Sequence, residues 1–330
     1  MKLTRVLTVI PAALLLGLGV MATLAPQQAY AKSSSVPEYV PSEGKRFWVT
    51  FLSNNGGKDE SKEVTLVAAS RKGVTITLTY SKDNSTKVET IPAGGGQKTI
   101  TLTQSKVYNL TNVGKDSLSV LVEASDTISL YAAARDVPYY ESTFVLPEHA
   151  LGKDYVIQTG RANPETYCSE YAIIATEDKT QILINRRESN GNAASLTNPG
   201  ASSDTTITLN KGNVFFVKSS KVFGQNVATL SGTSISADKK IAVFQADEAS
   251  RAPYITAHTQ NYMLEQALPV SAWGKEFMVS IADLFDETST IVRITAAYDG
   301  TVVTVKDREG KTKTETLSAF STFEWPWMDN

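Results

Sequence analysis

Cysteine is almost absent, with one residue, Cys168, in a chain of 330. A single thiol excludes an intrachain disulfide framework and any cysteine-rich zinc site. Histidine is as scarce: His149 and His258 are the only two. Two imidazoles exclude a multi-histidine metal centre within one chain. An excess of positive charge is missing as well. Lys+Arg number 32 against 34 Asp+Glu, and a weakly acidic chain has no electrostatic drive toward nucleic acid or anionic lipid. Sustained helical periodicity is also lacking beyond the N-terminal region. What remains is ordinary globular usage, 42% hydrophobic and 20% charged, which excludes a disordered chain or a collagen. Ordering each residue costs about 1–2 kcal/mol. Without disulfides, only dense burial of apolar strands can offset that.

The one long apolar run, Val6 to Leu24, follows Lys2 and Arg5 and precedes Ala29-Tyr30-Ala31. A basic start, an apolar middle and a small-residue A-x-A site read as a bacterial-style secretory signal over 1–31, cleaved after Ala31. Pro11, Gly17 and Gly19 interrupt the run and favour removal over a retained membrane anchor. Without Lys2 and Arg5 the formal charge moves from −2 to −4. No second run is long enough to span a bilayer, so the mature chain is expected to be secreted or surface-displayed, without membrane insertion. Residues 32–43 read as a linker.

The rest of the chain repeats itself. Gly44-Lys45-Arg46-Phe47-Trp48-Val49 is echoed by Gly152-Lys153-Asp154-Tyr155-Val156-Ile157 and by Gly274-Lys275-Glu276-Phe277-Met278-Val279. The three Gly-Lys pairs stand 108 and 122 residues apart. Each is followed by two β-rich runs around a short turn: Val64–Ala69 and Val74–Leu78, Tyr171–Ala175 and Thr180–Ile184, Ile291–Ala296 and Thr301–Val305. Alternating β-branched residues around such turns predict hairpins. Further matches follow in order: Thr99–Leu102, Thr206–Leu209 and Thr314–Leu317, then Ile128–Ala132 and Ile241–Gln245. The spacing predicts an all-β protein of tandem antiparallel β-sandwich-like repeats of about 110 residues: 44–150, 151–272 and a partial 273–330. The alternative is a set of repeats interleaved into one closed, propeller-like assembly. The third repeat carries Phe320, Phe323, Trp325 and Trp327 without its final strands. It is therefore expected to be truncated or completed by a neighbour. Phe47, Tyr155 and Phe277 should be packed at equivalent positions.

Three stretches carry a resemblance. Leu230-Ser231-Gly232-Thr233-Ser234-Ile235-Ser236-Ala237-Asp238-Lys239-Lys240-Ile241-Ala242-Val243-Phe244 is one. His258 through Pro269, leading into Trp273-Gly274-Lys275-Glu276-Phe277, is the second. Ala172-Ile173-Ile174-Ala175-Thr176-Glu177-Asp178-Lys179-Thr180 is the third. Together they resemble the IgGFc-binding protein N-terminal domain family, over about Gly44 to Val305. Two departures stand out: Thr256-Ala257 precedes His258 where the family often has Cys, and Ala267-Leu268-Pro269 holds one proline of a Pro-Pro pair. The resemblance implies a binding or adhesion module of a large secreted or surface protein, not an enzyme.

The residues themselves add little chemistry. Cys168 sits in no nucleophile context. Gly94-Gly95-Gly96 runs into Gln97-Lys98-Thr99, a predicted hairpin turn and not a phosphate cradle. Asp59-Glu60, Asp247-Glu248 and Asp283/Asp286-Glu287 read as solvated surface acids. No catalytic residue, metal site or cofactor is expected. The candidate binding residues are Tyr139, Tyr140, Arg251, Tyr254 and His258, all in long connections, because tyrosine and arginine suit contact surfaces. The expected partner is an extracellular protein or glycan, host mucosal material included. The alternatives are a carbohydrate-active enzyme on a β scaffold or a structural spacer of a larger surface protein.

Overall fold

The computed structural model describes residues 7–11, 42–54, 63–108, 114–136, 139–160, 167–185, 204–219, 229–250, 261–279, 291–307 and 310–326. It is all-β: every strand ladder among these residues is antiparallel, and the remaining regular structure is short 3-10 turns. The chain divides into two compact units, residues 39–272, and residues 1–38 together with 273–330. Strand β1 (Leu7–Pro11) belongs to the second of these.

The 39–272 unit begins with β2 (Gly44–Val49), β3 (Glu63–Ser70), β4 (Val74–Tyr80) and β5 (Thr86–Ile91). Then come β6 (Gly96–Thr101), β7 (Gly114–Asp116), β8 (Val120–Asp136) and β9 (Tyr139–Val145). β8 is 17 residues long and runs through both halves of one sheet. Its first part lies between β2 and β4, with β5 beyond β4. Its second part lies between β3 and β9, with β6 beyond β3. The β2 ladder slips register between Gly44 and Arg46, the kind of irregularity that bends and twists a strand pair. The seven strands form one nearly closed, barrel-like sheet.

The same neighbour order returns in β10 (Asp154–Val156), β11 (Ser169–Ala175), β12 (Thr180–Asn185) and β13 (Thr205–Leu209), followed by β14 (Val214–Lys218), β15 (Ser234–Ala237), β16 (Ile241–Ser250) and β17 (Asn261–Gln266). The sheet β10-β15-β12-β13 has the order of β2-β8-β4-β5. The sheet β17-β16-β11-β14 has that of β9-β8-β3-β6, with β7 added beside β14. β15 and β16 thus correspond to the two parts of β8, separated at Asp238–Lys240.

Burial explains the composition of these strands. β11 is buried along its whole length and β16 at all but one position. One set of their side chains, with Ala172, Ile174, Phe216 and Phe244, joins Phe47, Leu66, Leu78 and Val122 in a single core. The other set, with Tyr171, Ile173, Val217 and Val243, packs with Tyr155, Ile182 and Ile235. A sheet covered on both faces needs no polar alternation. Each fully buried side chain of this size contributes about 1.5–3 kcal/mol.

Two of the three Gly-Lys motifs have a packing reason, the third glycine, Gly274, meeting nothing closer than the Phe277 ring at 3.4 Å. A Cβ on Gly44 would stand 2.3 Å from Cβ of Pro147, and one on Gly152 would stand 2.4 Å from Cβ of Pro269. Both prolines directly follow a β9- or β17-type strand and its next residue or two, and each leads into a 3-10 turn, Glu148–Ala150 or Val270–Ala272. Glycine lets the proline close over the start of the strand.

The predicted hairpins are not hairpins. β3 and β4 do not pair with each other, nor do β11 and β12, nor β5 and β6 across Gly94-Gly95-Gly96. The β3–β4 and β5–β6 turns carry the chain across the barrel-like sheet, and the β11–β12 turn carries it from one sheet to another. Alternating apolar residues around a tight turn suit such an arch as well as a ladder, and the partner is set by register elsewhere.

In the second unit, β18 (Glu276–Phe277), β19 (Ile291–Thr295), β20 (Thr301–Lys306), β21 (Thr312–Leu317) and β22 (Thr322–Pro326) follow. The sheet order is β18-β1-β20-β21, and β19 pairs with β22. β1 holds the place that β15 has between β10 and β12. Ala296, Val303, Val305 and Leu317 form a small core. Phe47 and Tyr155 are fully buried, whereas Phe277 is 44% exposed. The expectation of equal packing fails at Phe277 because β18 is a two-residue strand at a sheet edge, exposed at both positions.

Candidate functional site

Two constellations stand out in the 39–272 unit, one on its surface and one inside. The surface one is the outward side of β6, β3, β8 and β9. Thr99, Val67, Tyr131 and Phe144 are consecutive partners across these four strands. Thr101, Thr65, Ala133 and Ser142 make the next row, and Glu63, Arg135 and Tyr140 a third. Alternation puts Ile128, Leu130, Ala132 and Ala134 into the core and their neighbours outward,. The result is a face of small and β-branched residues from which aromatic rings rise. Tyr131 and Tyr140 are 46% and 53% exposed. Tyr131 meets Phe144 edge to face, with centroids 5.3 Å apart. The Arg135 guanidinium lies 5.1 Å from the Tyr140 ring centre and 3.8 Å from a Glu63 carboxylate oxygen. At an exposed site such a cation–π contact contributes about 0.5–1 kcal/mol, enough to orient a ring. In β17, Met263 and Glu265 alternate with buried Tyr262 and Leu264. Gln266 joins β17 to β9: its backbone N–H donates to Thr143 Oγ1 at 2.9 Å, and its Oε1 accepts from Leu146 N–H at 2.6 Å. Burial raises the Glu141 carboxyl, and burial with the nearby Glu141 charge raises Glu265.

The interior constellation joins three strands of the central sheet. Glu170 of β11 is paired in register with Lys218 of β14, and Glu248 lies at the far end of β16. Both glutamates are fully buried, and the lysine side chain is 14% exposed. Lys218 Nζ is 2.9 Å from Glu170 Oε1 and in closer contact with Glu248 Oε1. Ser53, just past β2, completes the group. Its N–H donates to Glu170 Oε2 at 2.8 Å, and its hydroxyl contacts Glu170 Oε1 and lies 2.9 Å from Glu248 Oε1. Cys168 N–H donates to the other Glu248 oxygen at 2.8 Å. Burial pushes the Glu170 carboxyl up to about 8; Lys218 pulls against this and the Glu248 charge adds to it. Burial also works against the Lys218 ammonium, but the two carboxylates outweigh it and hold the ammonium above its ordinary range. Beside this group, Asp247 accepts from Gly160 N–H and the Ser169 hydroxyl. A Cβ on Gly160 would come 2.2 Å from Asp247 Oδ2.

The predicted site residues fare differently. Tyr140 is exposed beside Arg135. Tyr139 lies in β9, opposite Asp136, so both tyrosines belong to a strand and not to a loop. Arg251, Tyr254 and His258 lie outside the described residues, as do Asp59-Glu60 and Asp283/Asp286-Glu287. Asp247 and Glu248 are 1% and 0% exposed, which corrects their reading as solvated surface acids. They continue a strand of the doubly covered sheet, so they are carried inside with it. Sequence reasoning missed Tyr131, Phe144 and Arg135. Their signal was the period-2 alternation of Ser129, Tyr131, Ala133 and Arg135 against a buried aliphatic set.

Fold and surface together define an all-β sheet protein with two exposed tyrosine rings, Tyr131 and Tyr140, on one sheet face. Comparison with known proteins then places it. A family model described as IgGFc binding protein matches residues 141–329. The chain belongs to the IgGFc-binding protein family. The human IgGFc-binding protein is 26% identical over 166 residues, which is 49% of this chain and 3% of that much longer relative. Among solved structures, the native conformation of Escherichia coli alpha-2-macroglobulin aligns with 99% of this chain and 25% of its own, at 10% identity and a TM-score of 0.13. A likeness that slight carries no argument about the fold.

Proposed function

We propose that this chain is an exported, non-catalytic recognition module that docks an extracellular protein or glycan on the outward face of β6, β3, β8 and β9. The observation that carries this reading is the set of exposed rings, Tyr131 and Tyr140, standing over small side chains with Arg135 beside Tyr140 in its row. Tyrosine offers large area and a polar tip at little conformational cost, and Tyr and Arg dominate binding hot spots. The family, named for binding, supports a binding role. Tandem repetition of one strand-rich module suits such a role, since it multiplies faces on a rigid scaffold. Export rests on the N-terminal signal pattern. Cleavage after Ala31 would remove β1 and leave the β20 edge open to another strand. An enzymatic reading has less support, because Glu170 and Glu248 converge where no solvent reaches them.

The test is a broad protein and glycan array probed with the chain and with a Tyr131→Ala/Tyr140→Ala variant. Reproducible binding by the first, lost by the second, supports the placement. Binding that the double variant retains rejects it.

A further inference from the structure

We propose that Lys218 and Glu248 condense into an intramolecular amide, a covalent bridge between β14 and β16 that passes Glu170 of the intervening β11. The inference is independent of the docking face.

Its basis is the make-up of the buried cluster. Two fully buried carboxylates share one amine. Each ion held out of water carries a desolvation penalty that its partner repays only in part. Glu170 is held protonated over much of the neutral range by that burial, leaving Lys218 ammonium facing Glu248 carboxylate. Condensation removes this last charge pair and releases water. The reacting groups are held together by the sheet, which replaces an encounter with a fixed geometry.

The surroundings supply the remaining parts. Cys168 N–H, 2.8 Å from Glu248 Oε2, is placed to stabilise negative charge on that oxygen as the carboxyl becomes tetrahedral. Glu248 Oε1 faces Lys218 Nζ and the Ser53 hydroxyl, which also contacts Glu170. The ammonium gives one proton to Glu248 Oε1, yielding a neutral amine and a neutral acid. The amine lone pair, with Nζ turned out of the carboxyl plane, forms the Nζ–Cδ bond, and the carbonyl electrons move to Oε2. Glu170 passes its proton through Ser53 to Oε1, the Cδ–Oε1 bond breaks, and Oε1 leaves as water. The Oε2 electrons restore the carbonyl, and the nitrogen returns a proton to Glu170. One ammonium and one carboxylate become one amide and one water, with no oxidant or reductant. Glu170 and Ser53 end as they began.

The test is peptide mapping of the purified, folded full chain by mass spectrometry after denaturation. Trypsin should leave Lys218 uncut. A branched peptide should join residues 212–221 to 241–251, lighter by one water than the sum of the two. Lys218→Arg keeps a cation but cannot form this amide, so trypsin should cut at position 218 and release 241–251 at its plain mass. Glu170→Gln should slow bridge formation at least tenfold, followed from freshly made protein. Ordinary cleavage after Lys218 in the wild-type chain, with 241–251 at its plain mass, overturns the proposal. So does a bridge from Lys218 to Glu170 in place of Glu248.

Discussion

Replacing Glu170 with glutamine should remove most of a fall in stability that the wild-type protein shows as pH rises from mildly acidic to mildly alkaline. The folded carboxyl is raised to about 8, against an ordinary value of 4.5. Between these limits the folded state binds a proton that the unfolded chain does not. Its contribution is therefore fully present below the unfolded value and is lost as pH climbs through the folded one. Each pH unit is worth about 1.4 kcal/mol per proton, so the whole span amounts to at most about 5 kcal/mol. Glu141 and Glu265 are also raised, chiefly by burial, and add to the same slope. Asp83 and Asp126 are held low, first by hydrogen bonds from Lys106 and Lys72 respectively. They act in the opposite sense, and only in stronger acid. The assay is urea unfolding at half-unit intervals from about pH 5 to pH 9, a range set by the proton linkage. Wild type should lose several kcal/mol across it, and Glu170→Gln should lose much less. Stability that is flat or rising in wild type, or an unchanged slope in the variant, would refute the reasoning.

Three further outcomes follow from packing. Gly152→Ala forces a methyl against Pro269 and should cost about 1–3 kcal/mol in denaturant unfolding, whereas Gly94→Ala meets nothing within 4 Å and should be close to neutral. Phe244→Ala opens the core shared by the barrel-like sheet and the central sheet, and calorimetry should register about 3–5 kcal/mol,. Phe277→Ala, at an exposed edge, should cost far less. Tyr131→Ala and Tyr140→Ala should change stability by no more than about 0.5 kcal/mol each, while each weakens ligand binding about tenfold or more if these rings are the anchors.

The strands themselves were readable from the chain because period-2 alternation and β-branched runs are local. The Gly-Lys recurrence was readable too, although the cause at Gly44 and Gly152, a proline more than a hundred residues away in the sequence, was not. What failed was pairing. Val64–Ala69 and Val74–Leu78 look like two arms of a hairpin, yet each ladders with β8, which lies beyond four intervening strands for the first and three for the second. The buried acids were misread for a related reason. Asp247-Glu248 ends an apolar run, and charge at a strand end ordinarily marks the surface. Only the register that sets Glu170 against Lys218, and the course of the chain that delivers Ser53, reveals that the charges answer one another inside. Tyr140 was found through its residue type. Tyr131 was hidden by sitting in the mostly aliphatic run Ile128–Ala134.

The docking face can be tested most directly by hydrogen–deuterium exchange of the chain with and without a ligand drawn from the array. The account predicts slowed exchange across residues 129–144, with β3 and β6 following and β12, β13 and β15 unchanged. Protection confined to β12, β13 and β15, with the β8–β9 ladder exchanging as before, would contradict it.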